Sequence, residues 1–125
     1  MIVGLGLDIT EVERIRKSIE RYGQRFLDRL FTAREMAYVE SKSNRYERYA
    51  ARFAAKEAGM KALGTGWVEG IGWQDFEVVN LPGGAPVLEL HGRAAELARE
   101  RGSSRALLTL THTATAAAAV VILES

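Results

Sequence analysis

Apolar residues run almost unbroken from position 2 to 9, IVGLGLDI, and so short a run of Val, Ile and Leu predicts a β-strand despite its glycines. Period two puts Ile2, Gly4, Gly6 and Asp8 on one face and Val3, Leu5, Leu7 and Ile9 on the other. Asp8 therefore ends a face nearly stripped of side chains, which another backbone can approach closely. The period then lengthens. Val12, Ile15, Ile19 and Tyr22 form a helical stripe, with Thr10 and Glu13 as a capping box and Gly23 as its stop. A second box, Thr32 with Glu35, opens a helix to about Ser41, and a longer helix is predicted from Arg45 to Leu63.

Beyond Gly64 the pattern turns to strands. Asp75 to Val79 and Pro86 to Leu90 pair across the turn Leu81-Pro82-Gly83-Gly84, and Gly92 to Arg101 forms a helix closed by Gly102. Arg105 to Thr111 and Thr115 to Leu123 are then joined at His112-Thr113-Ala114. The last strand is apolar on both faces, as a central or an intersubunit strand would be. The turn-rich stretch from Gly64 to Gly72 is short, and no repeat or linker divides the chain. This order predicts an α+β fold, a single domain over residues 1–125 with a mainly antiparallel sheet packed on helices.

Composition narrows the function. At 125 residues and 47% hydrophobic, the chain suits one core. A formal net charge of +1 argues against a general nucleic-acid binder, so any electrostatic partner must meet a local patch. The densest is Arg14, Arg16, Lys17, Arg21 and Arg25. Without cysteine there is no disulfide or thiolate metal site, and a reducing cytoplasm suits the chain. The N-terminus lacks a basic n-region, and Asp8 comes too early for a signal peptide or membrane span.

The stretch RFAAKEAGMKALGTG, residues 52 to 66, carries the chemistry that stands out. At 100° per residue Ala54, Ala55, Ala58 and Ala62 make a small-residue side, while Phe53, Met60 and Gly64 share another. Glu57 lies about 40° from Phe53, at the edge of the buried surface, with Lys61 one turn further. Spacing alone allows a plain i,i+4 salt bridge between them, worth about 0.2–0.5 kcal/mol. The alternative combines Glu57 with Asp8: two hard oxygen ligands suit Mg²⁺, which completes its shell with water and substrate phosphate. Lys61 would then face the phosphate, and Gly64-Thr65-Gly66 would either cap the helix or bring backbone N–H groups to the ligand.

Other chemistries have less support. GLGLD lacks the third glycine of a dinucleotide fingerprint, and ALGTG lacks the GK[ST] of a P-loop. Two histidines, His91 and His112, cannot make a histidine-rich metal site, and no Gly-x-Ser-x-Gly elbow is present. His91 reads as a surface residue at a strand-to-helix turn. His112, in a Thr-His-Thr turn at a strand end, could hydrogen-bond a phosphate.

Three segments together carry a resemblance: Gly4-Leu5-Gly6-Leu7-Asp8-Ile9; Arg52-Phe53-Ala54-Ala55-Lys56-Glu57-Ala58 with Lys61-Ala62-Leu63-Gly64-Thr65-Gly66; and Leu110-Thr111-His112-Thr113. In order and separation, over essentially the whole chain, they resemble the holo-acyl-carrier-protein synthases, the small 4′-phosphopantetheinyl transferases. The resemblance implies transfer of the phosphopantetheine arm of coenzyme A to a serine of apo acyl carrier protein, releasing adenosine 3′,5′-bisphosphate in support of fatty acid biosynthesis. It implies Asp8 and Glu57 as Mg²⁺ ligands, Lys61 beside the diphosphate, and Gly64, Thr65, Gly66 and His112 near coenzyme A. It further implies a homotrimer with coenzyme A between subunits, and Arg14, with Arg21 and Arg25, docking the acidic carrier. The base stays open between Asp8, Glu57 and water beside the metal. Two rivals remain: a non-catalytic coenzyme A or nucleotide sensor, and a basic scaffold for nucleic acid.

Overall fold

A computed structural model describes residues 1–68 and 70–125, so the turn-rich stretch foreseen from Gly64 to Gly72 is described apart from residue 69. In chain order the elements are β1 (Ile2–Glu11), α1 (Val12–Tyr22), α2 (Gln24–Leu30), α3 (Ala33–Glu40), α4 (Arg45–Leu63), a 3₁₀ turn (Trp73–Asp75), β2 (Phe76–Asn80), β3 (Pro86–Leu90), α5 (Gly92–Glu100), β4 (Arg105–His112) and β5 (Ala116–Glu124). A three-stranded sheet of order β1-β5-β4 and a two-stranded sheet β2-β3 are both antiparallel. The α+β expectation holds. β5, apolar on both faces, is the central strand.

The glycine face of β1 lies against α4. A Cβ on Gly6 would stand 1.8 Å from the Ala58 carbonyl oxygen, and one on Gly4 would stand 2.2 Å from that of Ala62. Helix and strand therefore meet backbone to backbone, which only glycine on one side and alanine on the other allow. Ala58, Ala62, Leu63, Ala119, Val121 and Leu123 bury one core here. The second core, with Ile15, Ile19, Leu27, Phe31, Val39 and Tyr49, lies between α4 and the first three helices. α4 is thus buried nearly all round, as its Phe53-to-Leu63 composition requires.

Several expectations are corrected. Thr10 does not cap α1: pairing of β1 with β5 continues to Glu11, so Thr10 sits in the strand opposite Ala117 and its Oγ1 donates to Asp8 Oδ2 at 2.8 Å. The N-cap is Glu11, without a side-chain bond. The capping box at Thr32 and Glu35 does form. Asp75 precedes β2 instead of starting it, because its carboxylate accepts from the backbone of Gly72 at 3.3 Å and Ala94 at 3.4 Å. His112 ends β4 opposite Ala117, and the turn begins at Thr113, whose Oγ1 accepts from the Thr115 and Ala116 amides. Gly59, a helix-interior glycine that costs roughly 1 kcal/mol against alanine, leaves room for Phe76: a Cβ there would meet the ring at 2.7 Å.

Two polar clusters tie α3 to β2. Lys56, fully buried, donates to Glu35 Oε1 at 2.8 Å and to the Phe76 carbonyl at 2.5 Å, while the Val78 amide donates to Glu35 Oε2 at 2.9 Å. Glu77, Glu89 and His91 come close enough to hold an ion, but Arg34 already occupies the cluster, reaching Glu77 at 2.6 Å and Glu89 at 2.9 Å. Burial pushes the Glu77 carboxyl up, yet hydrogen bonds from Arg34, Thr32 and His91 hold it at about 2. A depressed carboxyl contributes stability above its unfolded pKa and loses it as pH falls through the folded value. Arg34→Ala is therefore expected to destabilise the fold at pH 7, by a difference that shrinks as pH falls toward 2 in urea-melt series.

Candidate active site

The contact of β1 with α4 sets the geometry of the site. Gly6 lies on Ala58, and two residues along the same strand face comes Asp8, with Glu57 beside Ala58 on the helix. Asp8 is mostly covered, and its two carboxylate oxygens accept from Thr10 Oγ1 and, at 3.2 Å, from Lys61 Nζ. The same ammonium donates to the Leu7 carbonyl at 3.0 Å. The i,i+4 salt bridge between Glu57 and Lys61 is absent among the described residues; Lys61 is drawn across to the strand instead.

Glu57 is half-buried, and its side chain accepts no hydrogen bond among the described residues. Burial, and then the charge of Asp8, raise its carboxyl above the ordinary value, against the opposing pull of Lys61 and Arg14. Two carboxylates that repel one another, one of them without a donor, fit a hard divalent cation. Lys61, more than half exposed at 54%, is placed to meet an anion from the solvent side.

The remaining predicted residues fall into three places. Arg14 lies at the edge of the carboxylate site: its guanidinium carbon is 5.3 Å above the Phe53 ring, one helical turn before Glu57. Arg21 rests at 5.3 Å over Tyr22, while Arg25 is exposed on α2. Arg16, by contrast, is held by Glu13 and by Glu20 at 2.9 Å, so it is already neutralised. Gly64 caps α4 in the left-handed conformation at φ 75°, donating to Lys61 and Met60 carbonyls. Gly66 also has positive φ, 70°, and Thr65 Oγ1 donates to the Gly66 carbonyl, so this turn follows Lys61 directly without bonding to it.

His112 does not join the carboxylates. It lines a separate cavity of about 170 Å³ with Tyr38, Arg48, Arg52, Asn80 and Pro86. Arg52 is buried, donates to Asn80 Oδ1 at 2.5 Å, and stacks 4.6 Å over Tyr38. Its Nε is the one buried side-chain polar atom without a partner among the described residues. Arg48 was missed in the sequence, and Arg52, quoted within the resembling segment, was given no role, although their i,i+4 spacing on one helix was legible. A larger cavity, about 720 Å³, lies between the starts of α1 and α4, and Glu11, Glu13 and Glu47 line it with Arg16, among the described residues.

Comparison with known proteins meets this geometry. The model of the 4′-phosphopantetheinyl transferase superfamily matches residues 4–121. The chain is 60% identical over 125 residues to a holo-[acyl-carrier-protein] synthase of Solibacter usitatus, covering 100% of both. Its fold matches the crystal structure of holo-[acyl-carrier-protein] synthase from Neisseria meningitidis with TM-score 0.89 at 30% identity, over 100% of each chain. The Helicobacter pylori synthase in complex with coenzyme A matches with TM-score 0.84 at 28% identity, over 96% of this chain and 99% of that one. With its glycine-faced first strand, paired carboxylates and full-length likeness, this chain belongs to the 4′-phosphopantetheinyl transferase superfamily.

Proposed function

We propose that this protein is a holo-acyl-carrier-protein synthase, moving the 4′-phosphopantetheine arm of coenzyme A onto a serine hydroxyl of apo acyl carrier protein and releasing adenosine 3′,5′-bisphosphate. The observation that carries this reading is the meeting of Asp8, Glu57 and Lys61 at a glycine-lined contact, in a chain whose full-length relative is named a holo-[acyl-carrier-protein] synthase. That activity supplies fatty acid biosynthesis. Residues 1–125 would act as one transferase domain.

Asp8 and Glu57 would hold Mg²⁺. When bound, the ion supplies Lewis-acid stabilisation of the charge that develops on the diphosphate oxygens. Lys61 places an ammonium where the same charge builds, favouring departure of the nucleotide. We assign the serine proton to water in the open part of the site, beside Asp8 and Glu57. The turn Gly64-Thr65-Gly66 brings backbone and a hydroxyl beside the arm, and the cavity with His112, Arg48 and Arg52 suits the phosphates of the nucleotide.

We read the site as completed between subunits. Leu5, Leu7, Ile9 and Leu107 are exposed large hydrophobics on the sheet strands β1 and β4, and a homotrimer would cover them. We place the enzyme in the cytoplasm, consistent with a cysteine-free chain and with no helix among the described residues long and apolar enough to cross a membrane.

Arg14, Arg21 and Arg25, none of them paired with a carboxylate among the described residues, present cations to the acidic carrier. Arg14→Glu is expected to raise the carrier's KM about tenfold while coenzyme A binding to the free enzyme holds; an unchanged KM removes Arg14 from the docking surface. The reading as a whole is tested by intact mass. Apo carrier incubated with enzyme, coenzyme A and Mg²⁺ gains one phosphopantetheine and gains none with chelator; no gain with several apo carriers contradicts it. The same experiment separates the reading from a coenzyme A sensor, which binds without modifying the carrier.

A further inference from the structure

His112 has two ring nitrogens, and the structure employs one of them. Nδ1 lies 3.0 Å from Glu47 Oε1, both side chains being largely covered at 30% and 21% exposure. An ionised carboxylate only accepts, so Nδ1 carries the proton and donates. Nε2 is then the nitrogen left to a ligand in the cavity that His112 shares with Arg48 and Arg52, and it meets a phosphate oxygen as an N–H donor, with both ring nitrogens protonated. The contact is long-range, 65 residues apart, and joins the first turn of α4 to the last residue of β4. Arg48 and Arg52 descend the same helix from Glu47, so one rigid element sets the two guanidinium groups and, through Glu47, the imidazole plane.

We infer that Glu47 is a positioning residue for coenzyme A, holding the His112 ring by Nδ1 so that Nε2 faces the nucleotide phosphates alongside Arg48 and Arg52. This rests on the proposed function in taking coenzyme A as the ligand. A glutamate in a helix's first turn also favours the helix dipole, and that purely structural role acts independently of His112. The two roles separate cleanly. Positioning couples Glu47 to His112; a dipole contribution does not.

The test is a double-mutant cycle on the full-length protein, with coenzyme A affinity read by calorimetry and KM for coenzyme A and for apo carrier read by transfer. Glu47→Ala is expected to weaken coenzyme A binding about tenfold, the scale on which a lost orienting hydrogen bond acts on its histidine, and to raise KM for coenzyme A but not for the carrier. Glu47→Gln, which keeps an acceptor oxygen at the same reach, recovers most of the loss. Glu47→Ala combined with His112→Ala binds no more weakly than His112→Ala alone. Wild-type affinity in Glu47→Ala, or losses that add in full in the double variant, overturn the inference. The failure of the functional reading looks different: wild-type protein that binds coenzyme A but modifies no carrier contradicts the transferase while leaving the cycle readable.

Discussion

Glu57→Gln is expected to cut phosphopantetheine transfer by about 1,000-fold, equivalent to about 4 kcal/mol of lost transition-state stabilisation, while the chelated protein melts at a higher temperature than wild type. The two effects share one cause. Burial and the neighbouring charge of Asp8 raise the Glu57 carboxyl above its ordinary value. A carboxyl whose folded pKa exceeds its unfolded one binds protons on folding, so stability falls as pH rises through that interval and stays lower above it. Neutral glutamine removes the penalty and the metal ligand together. The gain in melting temperature should vanish at a pH below the unfolded carboxyl range. Near-wild-type transfer by Glu57→Gln at low Mg²⁺ contradicts the assignment, as does a melting temperature that falls at neutral pH.

Gly6→Ala has the larger effect on the fold. Its methyl would stand 1.8 Å from the Ala58 carbonyl oxygen, a backbone atom that cannot swing aside, so α4 must shift by more than an ångström. Overpacking of this kind costs about 3 kcal/mol, a fall of roughly 10–15 °C in Tm for a chain of this size. The displacement moves Glu57 away from Asp8, and a 1 Å misplacement alone can cost about 100-fold in rate. Transfer should therefore fall further than stability explains, even at temperatures where the variant is folded. An exposed control, Gly83→Ala, meets nothing within 4 Å and should leave both intact.

Much of this architecture was legible because its pattern is local. Glycines at period two on a strand and alanines at helical spacing announce a close contact before any partner is known, and the ends of α3 and α4 follow from a capping box and a glycine. What escaped depended on distant partners. Thr10 was read as a cap because the strand that claims it arrives more than 100 residues later, at Ala117. α2 was missed because Gly23 ends one helix and starts the next, φ 61° reversing the chain within one residue. Spacing favoured Glu57 as the partner of Lys61, and only the fold showed Asp8 nearer. Lys56 gave no sign of burial, since its carboxylate partner lies on another helix, at Glu35.

The sequence resemblance supplied roles for Asp8, Glu57 and Lys61, and the fold supplies the reason they meet. It also divides the basic surface. Arg16 is spent on Glu13 and Glu20, whereas Arg14 reaches over Phe53 toward the carboxylates, so a docked carrier helix would lie close to the chemistry. The arginines beside His112 form a second centre with its own cavity.

The central claim is that β1 and α4 meet closely enough to make one cation site from Asp8 and Glu57. Electron paramagnetic resonance of Mn²⁺, titrated into the protein with coenzyme A present, tests it directly. Wild type is expected to bind one Mn²⁺ per chain that Mg²⁺ displaces, with Asp8→Asn and Glu57→Gln each weakening it at least tenfold. Unchanged Mn²⁺ affinity in either variant would contradict it.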